Sequence, residues 1–397
     1  MTQIKHYELG ELADVTKLAG FEFTKYIKYN NYGEIIALRA LNLRHGELDL
    51  TDIKRIDRSV SELLPRSKLY INDILLTYTG NGYGDCAIIE ENDKYHLAPN
   101  ICKIAPNVEK VVPYYLYSYI RTNEFYKIMS SHMTGSSQPT IPMKTIRMLP
   151  IPLPPIVVQE KIAEVAYCIN EKIRKNNAIN KNLEQQAQAI FANEFLSLET
   201  LPEGWKQASL IDIADYLNGL AMQKYRPTAD ESGIPVLKIK ELRQGCCDDN
   251  SELCSPNIKS NYIVHDGDVI FSWSGSLLVD FWCGGICGLN QHLFKVTSSK
   301  YDKWFYYAWT KHHLDRFVAV AADKATTMGH IKRDELAKAE VLIPNKKDYD
   351  RIGALLQPIY EMIISNRIEN KKLAATRDTL LPKLMNGEID ISEVDYE

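Results

Sequence analysis

Two short segments of this sequence place the same kinds of hydrogen-bonding side chains at matching points of the chain. Thr77-Tyr78-Thr79-Gly80 and Ser272-Trp273-Ser274-Gly275 share a hydroxyl-aromatic-hydroxyl-glycine pattern, and each follows an apolar run. Hydroxyl and amide groups can read the edges of nucleic-acid bases, while lysine and arginine can bind phosphates. The alternative for Tyr78 and Trp273 is core packing beside a hairpin.

Two polar loops, Thr134–Thr140 and Lys324–His330, carry further groups of the same chemical types. The alternative for both loops is the ordinary polar composition of a solvent-exposed turn. The residues predicted to contact nucleic acid are Thr77, Tyr78, Asn81, Tyr83, Ser136, Ser137, Gln138, Lys144, Ser272, Trp273, Ser274, Lys324, Thr326, Thr327, His330 and Lys332.

The glycine-rich segment Gly80-Asn81-Gly82-Tyr83-Gly84 could approach a nucleotide or S-adenosylmethionine closely, because glycine leaves the backbone uncovered. Strand-like residues follow it where a phosphate-binding segment would need a helix, so we predict a tight hairpin loop instead. The sequence has no Walker-type phosphate loop, no Asn-Pro-Pro-aromatic motif, no H-E-x-x-H and no G-x-S-x-G. We therefore predict no catalytic residue and no cofactor in this chain.

The cysteines have irregular spacing without a C-x-x-C pair, which argues against a zinc site. We expect reduced thiols and no metal. The eight cysteines are Cys86, Cys102, Cys168, Cys246, Cys247, Cys254, Cys283 and Cys287.

The chain repeats itself after about 190 residues, and such a repeat determines the architecture. Asp73–Gly80 parallels Asp268–Gly275, and Ile141–Pro154 parallels Ile331–Pro344 without a gap. Each copy contains short strand-like runs and then one predicted helix, at Pro113–Met129 in the first copy and Lys303–Val318 in the second. An extended proline-containing segment and a long helix follow in each.

The two long helices carry apolar residues seven apart, with one asparagine at the centre of each series. A narrow apolar seam of this kind needs a partner helix. We predict that the two helices pack antiparallel, with Asn176 facing Asn366; the alternative is that both asparagines lie beside the seam and contact water. The second helix is predicted to stop before Pro382. The predicted interface residues are Ile162, Ile169, Asn176, Leu183, Ile190, Ile352, Ile359, Asn366, Leu373 and Leu380.

At 397 residues and 45% hydrophobic content, the chain can form two domain cores. We predict an α/β protein of two similar globular domains separated by the antiparallel, coiled-coil-like helices. No apolar run approaches the ~20 residues needed to span a membrane, and no secretion signal is visible at the start, so we expect a cytoplasmic protein. The predicted segments are domains at 1–155 and 197–345, helices at 156–196 and 346–386, and an acidic tail at 387–397.

The net charge of -4 conceals an uneven distribution. Five acids and no base lie in the last ten residues, whereas Arg121–Arg147 has four bases against one acid and Lys311–Arg333 has five against two. Each copy therefore has a mildly basic segment that could face phosphates. The alternative is a solvated helix face.

Taken together, these features resemble the specificity subunits of type I restriction-modification systems, and the resemblance covers essentially the whole chain. Each motif is short, but their order is specific. The motifs are Gly135-Ser136-Ser137-Gln138-Pro139-Thr140-Ile141, Ile151-Pro152-Leu153-Pro154-Pro155, Leu201-Pro202-Glu203-Gly204-Trp205 and Arg377-Asp378-Thr379-Leu380-Leu381-Pro382-Lys383-Leu384-Met385-Asn386-Gly387-Glu388-Ile389. The first copy departs from the family by opening at His6–Gly10 without Pro-Glu-Gly-Trp.

The resemblance implies two target recognition domains, each reading one half of a split, asymmetric double-stranded DNA site. It implies that the helices act as a spacer and as a platform for two modification (methyltransferase) subunits and for restriction (nuclease) subunits. Those partners would carry S-adenosylmethionine, ATP and magnesium, and this chain would be non-catalytic. Two alternatives remain at this point: a scaffold that binds no DNA, and a self-sufficient DNA methyltransferase, against which the missing catalytic motif argues.

Overall fold

The computed structural model describes residues 4–44, 46–80, 82–135, 139–323 and 333–391. The chain forms two compact units, the first from residues 1–171 and 374–397 and the second from residues 172–373. Each unit therefore contains a globular part and a portion of each long helix. None of the described helices combines the length and the apolar character needed to cross a membrane.

The first unit is built from short strands and helices. Its strands are β1 Lys5–Glu8, β2 Ala13–Lys17, β3 Ile35–Leu38, β4 Leu43–Arg44, β5 Glu47–Leu48, β6 Lys54–Ile56, β7 Ile74–Thr77, β8 Cys86–Ile88, β9 Tyr95–Leu97, β10 Ile101–Pro106 and β11 Pro150–Leu153. Its helices are α1 Leu9–Leu12, α2 Gly20–Tyr26, α3 Arg58–Leu63, α4 Pro113–Ile120, α5 Asn123–Ser131, α6 Met143–Arg147 and the first part of α7, Ile156–Phe191.

The second unit follows the same plan. Its strands are β12 Lys206–Ser209, β13 Asp215–Asn218, β14 Ile234–Leu237, β15 Leu253–Cys254, β16 Ile263–Val264, β17 Val269–Ser272, β18 Leu278–Phe281, β19 Cys287–Leu289, β20 Leu293–Thr297 and β21 Glu340–Ile343. Its helices are α8 Leu210–Ile213, α9 Ile239–Gln244, α10 Lys303–His312, α11 Leu314–Asp323, α12 Arg333–Ala337 and most of α13, Lys346–Met385.

The strand order is the same in both units. An antiparallel four-stranded sheet runs β2-β10-β7-β8 in the first unit and β13-β20-β17-β18 in the second. A second sheet in each unit contains one parallel pair, β3 with β9 and β14 with β19. The predicted α/β class with two similar domains is therefore confirmed, because the repeat extends from sequence to strand order.

Apolar runs explain why the central strands form where they do. Ile74, Leu75 and Leu76 are fully buried in β7, and Ile270 and Phe271 are fully buried in β17. Such continuous runs are typical of strands covered on both faces, whereas an alternating run would indicate one solvated face. Aromatic side chains of α4 and α10 pack on these sheets and complete the cores.

The helix predicted at Pro113–Met129 is wrong in one respect, because it is divided into α4 and α5. The Thr122 hydroxyl accepts a hydrogen bond from the Phe125 backbone N–H, so Thr122 caps a new helix. The helix predicted at Lys303–Val318 is likewise divided, into α10 and α11.

The two long helices pack antiparallel in the second unit. Asn176 Nδ2 donates to Asn370 Oδ1 at 2.8 Å, and Asn366 Nδ2 donates to Asn180 Oδ1 at 2.8 Å. Farther along, Arg351 and Glu194 form a bidentate ion pair. The residue number rises along α7 as it falls along α13, which confirms the predicted orientation.

The predicted pairing of Asn176 with Asn366 is wrong. Both asparagines are buried, so they lie in the seam as expected, but each binds an asparagine one helical turn beyond its counterpart. The heptad spacing identifies the buried face of each helix but leaves the axial offset of an antiparallel pair undetermined. Of the ten predicted seam residues, Ile162, Asn176, Ile352 and Asn366 are buried and the others are half-buried.

The prediction that the second helix stops before Pro382 is also wrong, because α13 continues to Met385. Proline removes one backbone N–H and therefore one helical hydrogen bond. That loss falls in the last turn, where Leu381, Leu384 and Met385 are buried in the core of the first unit together with Ile162. Burial of these side chains offsets the missing bond.

Candidate nucleic-acid interface

The predicted ligand-contacting segments lie at one edge of the main sheet in the first unit. In the antiparallel order β2-β10-β7, Cys102 is opposite Lys17 and Ile101 is opposite Thr77. The end of β2, the start of β10 and the end of β7 therefore meet at the same edge.

Three residues at this edge form a group that we call the first aromatic cluster: Lys17, Tyr78 and Asn100. The Lys17 ammonium lies 5.3 Å from the centre of the Tyr78 ring, within the range of a cation–π contact. The Tyr78 backbone N–H donates to the Asn100 carbonyl at 3.3 Å. Lys17 and Asn100 are exposed and Tyr78 is half-buried, so polar atoms of all three positions can meet a ligand.

The described ends of the polar loop, at Thr134 and at Pro139 and Thr140, lie at the same edge. Gly80 N–H donates to the Pro139 carbonyl at 2.9 Å, and Ile141 N–H donates to the Tyr78 carbonyl at 3.0 Å. Thr134 and Thr140 also pair as an isolated antiparallel bridge. The fold therefore brings together two segments about 60 residues apart that were predicted to share one function.

The glycine-rich segment is a hairpin loop, as predicted, because β7 and β8 pair antiparallel on either side of it. Gly84 adopts a positive φ of 88°, and a Cβ there would lie 2.8 Å from the Tyr126 ring. Tyr83 stacks on Tyr126 with ring centres 5.3 Å apart, and the Tyr126 hydroxyl donates to that of Tyr83 at 2.7 Å. This hydrogen bond and burial raise the pKa of Tyr126 to about 12, so the Tyr126 hydroxyl is protonated near neutral pH.

The second unit presents the same edge with different residues. Asn218 lies opposite Phe294, and Ser272 lies opposite Leu293, so the ends of β13 and β17 meet the start of β20. The group that we call the second aromatic cluster is Asn218, Trp273 and His292.

The second aromatic cluster is held by side-chain as well as backbone hydrogen bonds. Trp273 Nε1 donates to Asn218 Oδ1 at 3.1 Å, and the Trp273 backbone N–H reaches the His292 carbonyl at 3.4 Å. The Ser274 hydroxyl lies 3.1 Å from His292 Nδ1. Asn218 is exposed, while Trp273 and His292 are half-buried.

Three of the predicted contact residues face inward, and we correct those predictions. Thr77 and Ser272 are fully buried and Ser274 is nearly so. The Ser272 hydroxyl donates to the Ser276 carbonyl at 2.9 Å, and Ser274 contacts His292, so both serines stabilise the hairpin. Residues alternate between the two sides of a strand, so the hydroxyl before the aromatic residue lies on the opposite face.

Lys144 is exposed on α6, and Tyr83 is half-buried beside Tyr126. The remaining predicted contacts lie outside the described residues: Asn81, Ser136, Ser137, Gln138, Lys324, Thr326, Thr327, His330 and Lys332.

A lysine–aspartate pair supports the sheet of each unit from within. In the first unit Lys103 Nζ lies 3.9 Å from Asp73 and donates to the Lys68 carbonyl at 3.0 Å. In the second unit Lys295 Nζ lies 2.7 Å from Asp268 and donates to the Ile263 carbonyl at 2.9 Å. Burial raises the pKa of Asp73, although Lys103 opposes this effect.

Part of the basic charge counted from sequence is used inside the fold. Arg147 donates to the Val15 carbonyl at 2.6 Å, and Arg333 donates to the Tyr216 carbonyl at 3.3 Å. Lys311 Nζ donates to the Tyr307 hydroxyl at 3.0 Å. The two mildly basic segments are therefore partly structural.

Sequence reasoning missed Lys17, Asn100, Asn218 and His292. A signal for two of them was present, because Leu12-Ala13-Asp14 and Ile213-Ala214-Asp215 align, which places Lys17 and Asn218 at equivalent positions. Within the described parts of the chain, no group of three potential metal ligands is found. All eight cysteines are free thiols, and the sulfur atoms of Cys247 and Cys287 lie 3.6 Å apart.

Comparison with known proteins bears directly on this arrangement. The family model of the type I restriction modification DNA specificity domain matches residues 1–188 and 202–375. The MjaIX specificity subunit of Methanocaldococcus jannaschii is 26% identical over 72% of this chain and 71% of its own length. The HindI specificity subunit of Haemophilus influenzae is 20% identical over 98% of this chain and 100% of its own.

A solved structure supports the fold independently. The type I restriction-modification S subunit from M. genitalium superposes with a TM-score of 0.56 at 12% identity, covering 96% of each chain. Because the family model matches both copies of the repeat, the chain belongs to the type I restriction-modification DNA specificity family, and it is a DNA-recognition subunit of the non-catalytic kind.

Proposed function

We propose that this chain reads a bipartite, asymmetric double-stranded DNA site, with one half-site bound by each globular domain. The observation that carries the proposal is that the same sheet edge occurs in both units, with different side chains in the first and second aromatic clusters. The first edge presents Lys17 and Tyr78, and the second presents Asn218 and Trp273. The two edges share the same strand pairing but present different hydrogen-bonding side chains. Such an arrangement suits two half-sites of different sequence.

The partners follow from the same proposal. Two modification subunits would assemble on the helices and carry S-adenosylmethionine, and restriction subunits would bring ATP and magnesium. Helices α7 and α13 offer long exposed faces beside their buried seam, as at Tyr167, Ile179, Leu355 and Met362. These exposed apolar side chains are available for contact with a protein partner.

A modest phosphate-binding surface on this chain is compatible with the proposal. The net charge is -4, and several arginines serve internal hydrogen bonds. Affinity for DNA depends largely on neutralised phosphates. The partner subunits would then supply many of these contacts, while this chain supplies contacts to the bases.

The direct test is to express the chain with its modification subunit in cells that lack other adenine methylation and to map the methylated adenines. A single split motif with two unlike halves supports the proposal. Methylation without sequence preference, or at one continuous palindromic site, contradicts it. A competition gel with purified complex gives the same comparison in solution, with a scrambled duplex as the control.

The residues outside the described structure supply a finer test. Gln138→Ala should alter base preference in one half-site only, and Lys324→Ala should weaken or alter the other half-site only. Each half-site is the internal control for the other. Equal losses at both halves in both variants would argue against independent reading by the two domains.

A further inference from the structure

We propose that three matched positions at the sheet edge determine which bases each domain reads: Lys17, Tyr78 and Asn100 in the first unit, and Asn218, Trp273 and His292 in the second. This inference rests on the proposed function and names the residues responsible for its specificity. It goes beyond family membership, which identifies DNA specificity domains but assigns no base-reading side chain.

The backbone hydrogen-bonding pattern is alike at the three positions of the two units, although Asn100 has a positive φ of 74° and His292 does not. Lys17 and Asn218 lie at the last residues of equivalent strands, opposite the starts of β10 and β20. Tyr78 and Trp273 each follow the last residue of the central hairpin strand. In both units the backbone N–H of the aromatic residue donates to the carbonyl of the residue directly before β10 or β20, which is Asn100 or His292.

A similar support lies behind both edges, namely a lysine–aspartate pair that is buried in the first unit and half-buried in the second. The aspartate directly before β7 or β17 accepts a hydrogen bond from the backbone N–H of the residue three positions earlier, at 2.8 Å in each unit. Each aspartate also faces a lysine of the adjoining strand, Lys103 or Lys295. Because both copies of the repeat contain this support, the sheet backbone can stay the same while the residues of the aromatic cluster change.

The residues of the two aromatic clusters differ in the hydrogen bonds that their side chains can donate and accept. Lysine donates only, the tyrosine hydroxyl does both, and asparagine offers an amide with both groups. In the second cluster, asparagine replaces lysine and an imidazole replaces the asparagine amide. The indole N–H that replaces the phenol already donates to Asn218 Oδ1, so Trp273 orients the Asn218 amide. Lysine suits the acceptors of guanine and asparagine suits adenine, so the two clusters favour different bases.

The ring of His292 is oriented by Ser274 and Gln291. Ser274 is buried and its hydroxyl lies 3.1 Å from Nδ1, while Nε2 lies 3.4 Å from the Gln291 amide nitrogen. A ring held at one nitrogen presents the other in a defined direction. This arrangement assigns Ser274 a positioning role, in place of the direct contact predicted from sequence.

The experiment replaces the three residues of the second aromatic cluster by those of the first. The variant Asn218→Lys/Trp273→Tyr/His292→Asn is expressed with the modification subunit, and methylation is measured on a library in which every base of the second half-site is varied. We expect the relative methylation of alternative bases to change by roughly 10-fold or more at one or more positions of that half-site. Base preference at the first half-site should be unchanged, which reports that the complex assembles and folds.

A second variant keeps the test decisive if the triple variant is inactive. His292→Gln alone should shift preference at a narrower set of positions, and Lys300→Ala, exposed beyond the opposite end of β20, should shift none. Unchanged preferences in the variants, with methylation lowered equally for all sequences, would overturn the inference while leaving the proposed function intact. A wild-type complex without any sequence preference would overturn both.

Discussion

At the scale of single residues, a lysine–aspartate pair stabilises the main sheet of each unit, and this pair is buried in the first unit and half-buried in the second. The Lys295 and Asp268 side chains are 13% and 23% exposed, and the carboxylate also accepts a backbone hydrogen bond from His265. Removing one member of such a pair leaves the other charge poorly solvated. The matching pair in the first unit lies at the equivalent place in its sheet.

We therefore predict that Asp268→Asn lowers the free energy of unfolding of the second unit by about 2–3 kcal/mol, because Lys295 loses its counter-charge. Asp350→Asn is the control: its exposed pair with Lys346 should contribute less than about 1 kcal/mol. All five tryptophans lie between Trp205 and Trp309, so tryptophan fluorescence during urea unfolding reports this unit. Equal midpoints for the two variants would contradict the prediction.

A histidine makes the stability of the second unit dependent on pH. His313 is buried at the junction of α10 and α11, and its Nε2 lies 2.7 Å from the Glu340 carbonyl. Burial lowers the pKa of His313 below its ordinary value, despite the opposing effect of that carbonyl. The unfolded chain therefore binds a proton more readily than the folded chain, and folding becomes less favourable as pH falls below about 6.5.

The variant His313→Gln should retain a donor to the Glu340 carbonyl but lose the titration. We expect its free energy of unfolding to fall less than that of the wild type between pH 7 and pH 5, when urea unfolding is measured by fluorescence. Burial lowers the pKa of His312 as well, so the dependence should be reduced and not abolished. Parallel pH profiles for variant and wild type would show that His313 does not contribute.

The sequence indicated the position of the candidate site better than its chemistry. The repeated pattern located Tyr78 and Trp273, which do lie at the sheet edges. It misassigned Thr77 and Ser272, because a pattern of residue types does not reveal which face of a strand is buried when both faces are covered. Asn100 and His292 were missed because strand pairing, and not proximity in sequence, brings them to the edge.

At the scale of secondary-structure elements, the helix pair shows what heptad spacing can and cannot predict. All ten predicted seam residues are at least half-buried. The partner of each asparagine was wrong, since Asn176 pairs with Asn370 and Asn180 with Asn366. The 190-residue repeat relates these two pairs to each other, so the hydrogen-bonding unit is an asparagine and a second one four residues later. Spacing within one helix cannot specify the offset between two.

This buried amide pair leads to a double-mutant prediction. Asn366→Leu leaves the Asn180 carbonyl oxygen without its donor, so we expect a loss of about 1–3 kcal/mol in the free energy of unfolding. The double variant Asn180→Leu/Asn366→Leu should recover most of that loss, because two apolar side chains then meet in the seam. Urea unfolding of the two single variants and the double variant gives the coupling energy.

The control for the seam is Asn177→Ala, since Asn177 lies outside the buried pair and accepts an exposed hydrogen bond from Asn370. We expect it to change stability by no more than about 0.5 kcal/mol. Strictly additive losses in the double variant would mean that the two buried asparagines do not interact, and would leave the register of the helices to the apolar residues alone.

At the scale of the whole molecule, the chain uses one fold twice and varies the residues at the sheet edge where we propose that DNA binds. The strand orders β2-β10-β7-β8 and β13-β20-β17-β18 match, while the residues of the two aromatic clusters differ. Under the proposed function, a fixed length of α7 and α13 would then determine the gap between the two half-sites. The length of the helices and the length of the DNA gap should change together.

We predict that four helix-forming residues inserted into both helices, directly after Asn180 and directly before Asn366, lengthen the gap by one base pair. Four residues add ~6 Å and turn the helix by about 40° beyond a full turn. One base pair adds ~3.4 Å and turns DNA by about 35°. The rotations agree closely, and the remaining few ångströms are within the deformation that DNA tolerates. Both asparagine pairs stay on the same side of the insertion and keep their partners.

The measurement is the methylated motif in cells that express the extended chain with its modification subunit. Inserting the same four residues after Asp230, in an exposed turn of the second unit, should leave the gap unchanged. Both half-sites should retain their bases in either variant, because neither insertion touches a sheet edge. An unchanged gap in the helix variant, together with full methylation, would mean that the helices do not measure the distance between half-sites and that the spacing is determined elsewhere in the complex.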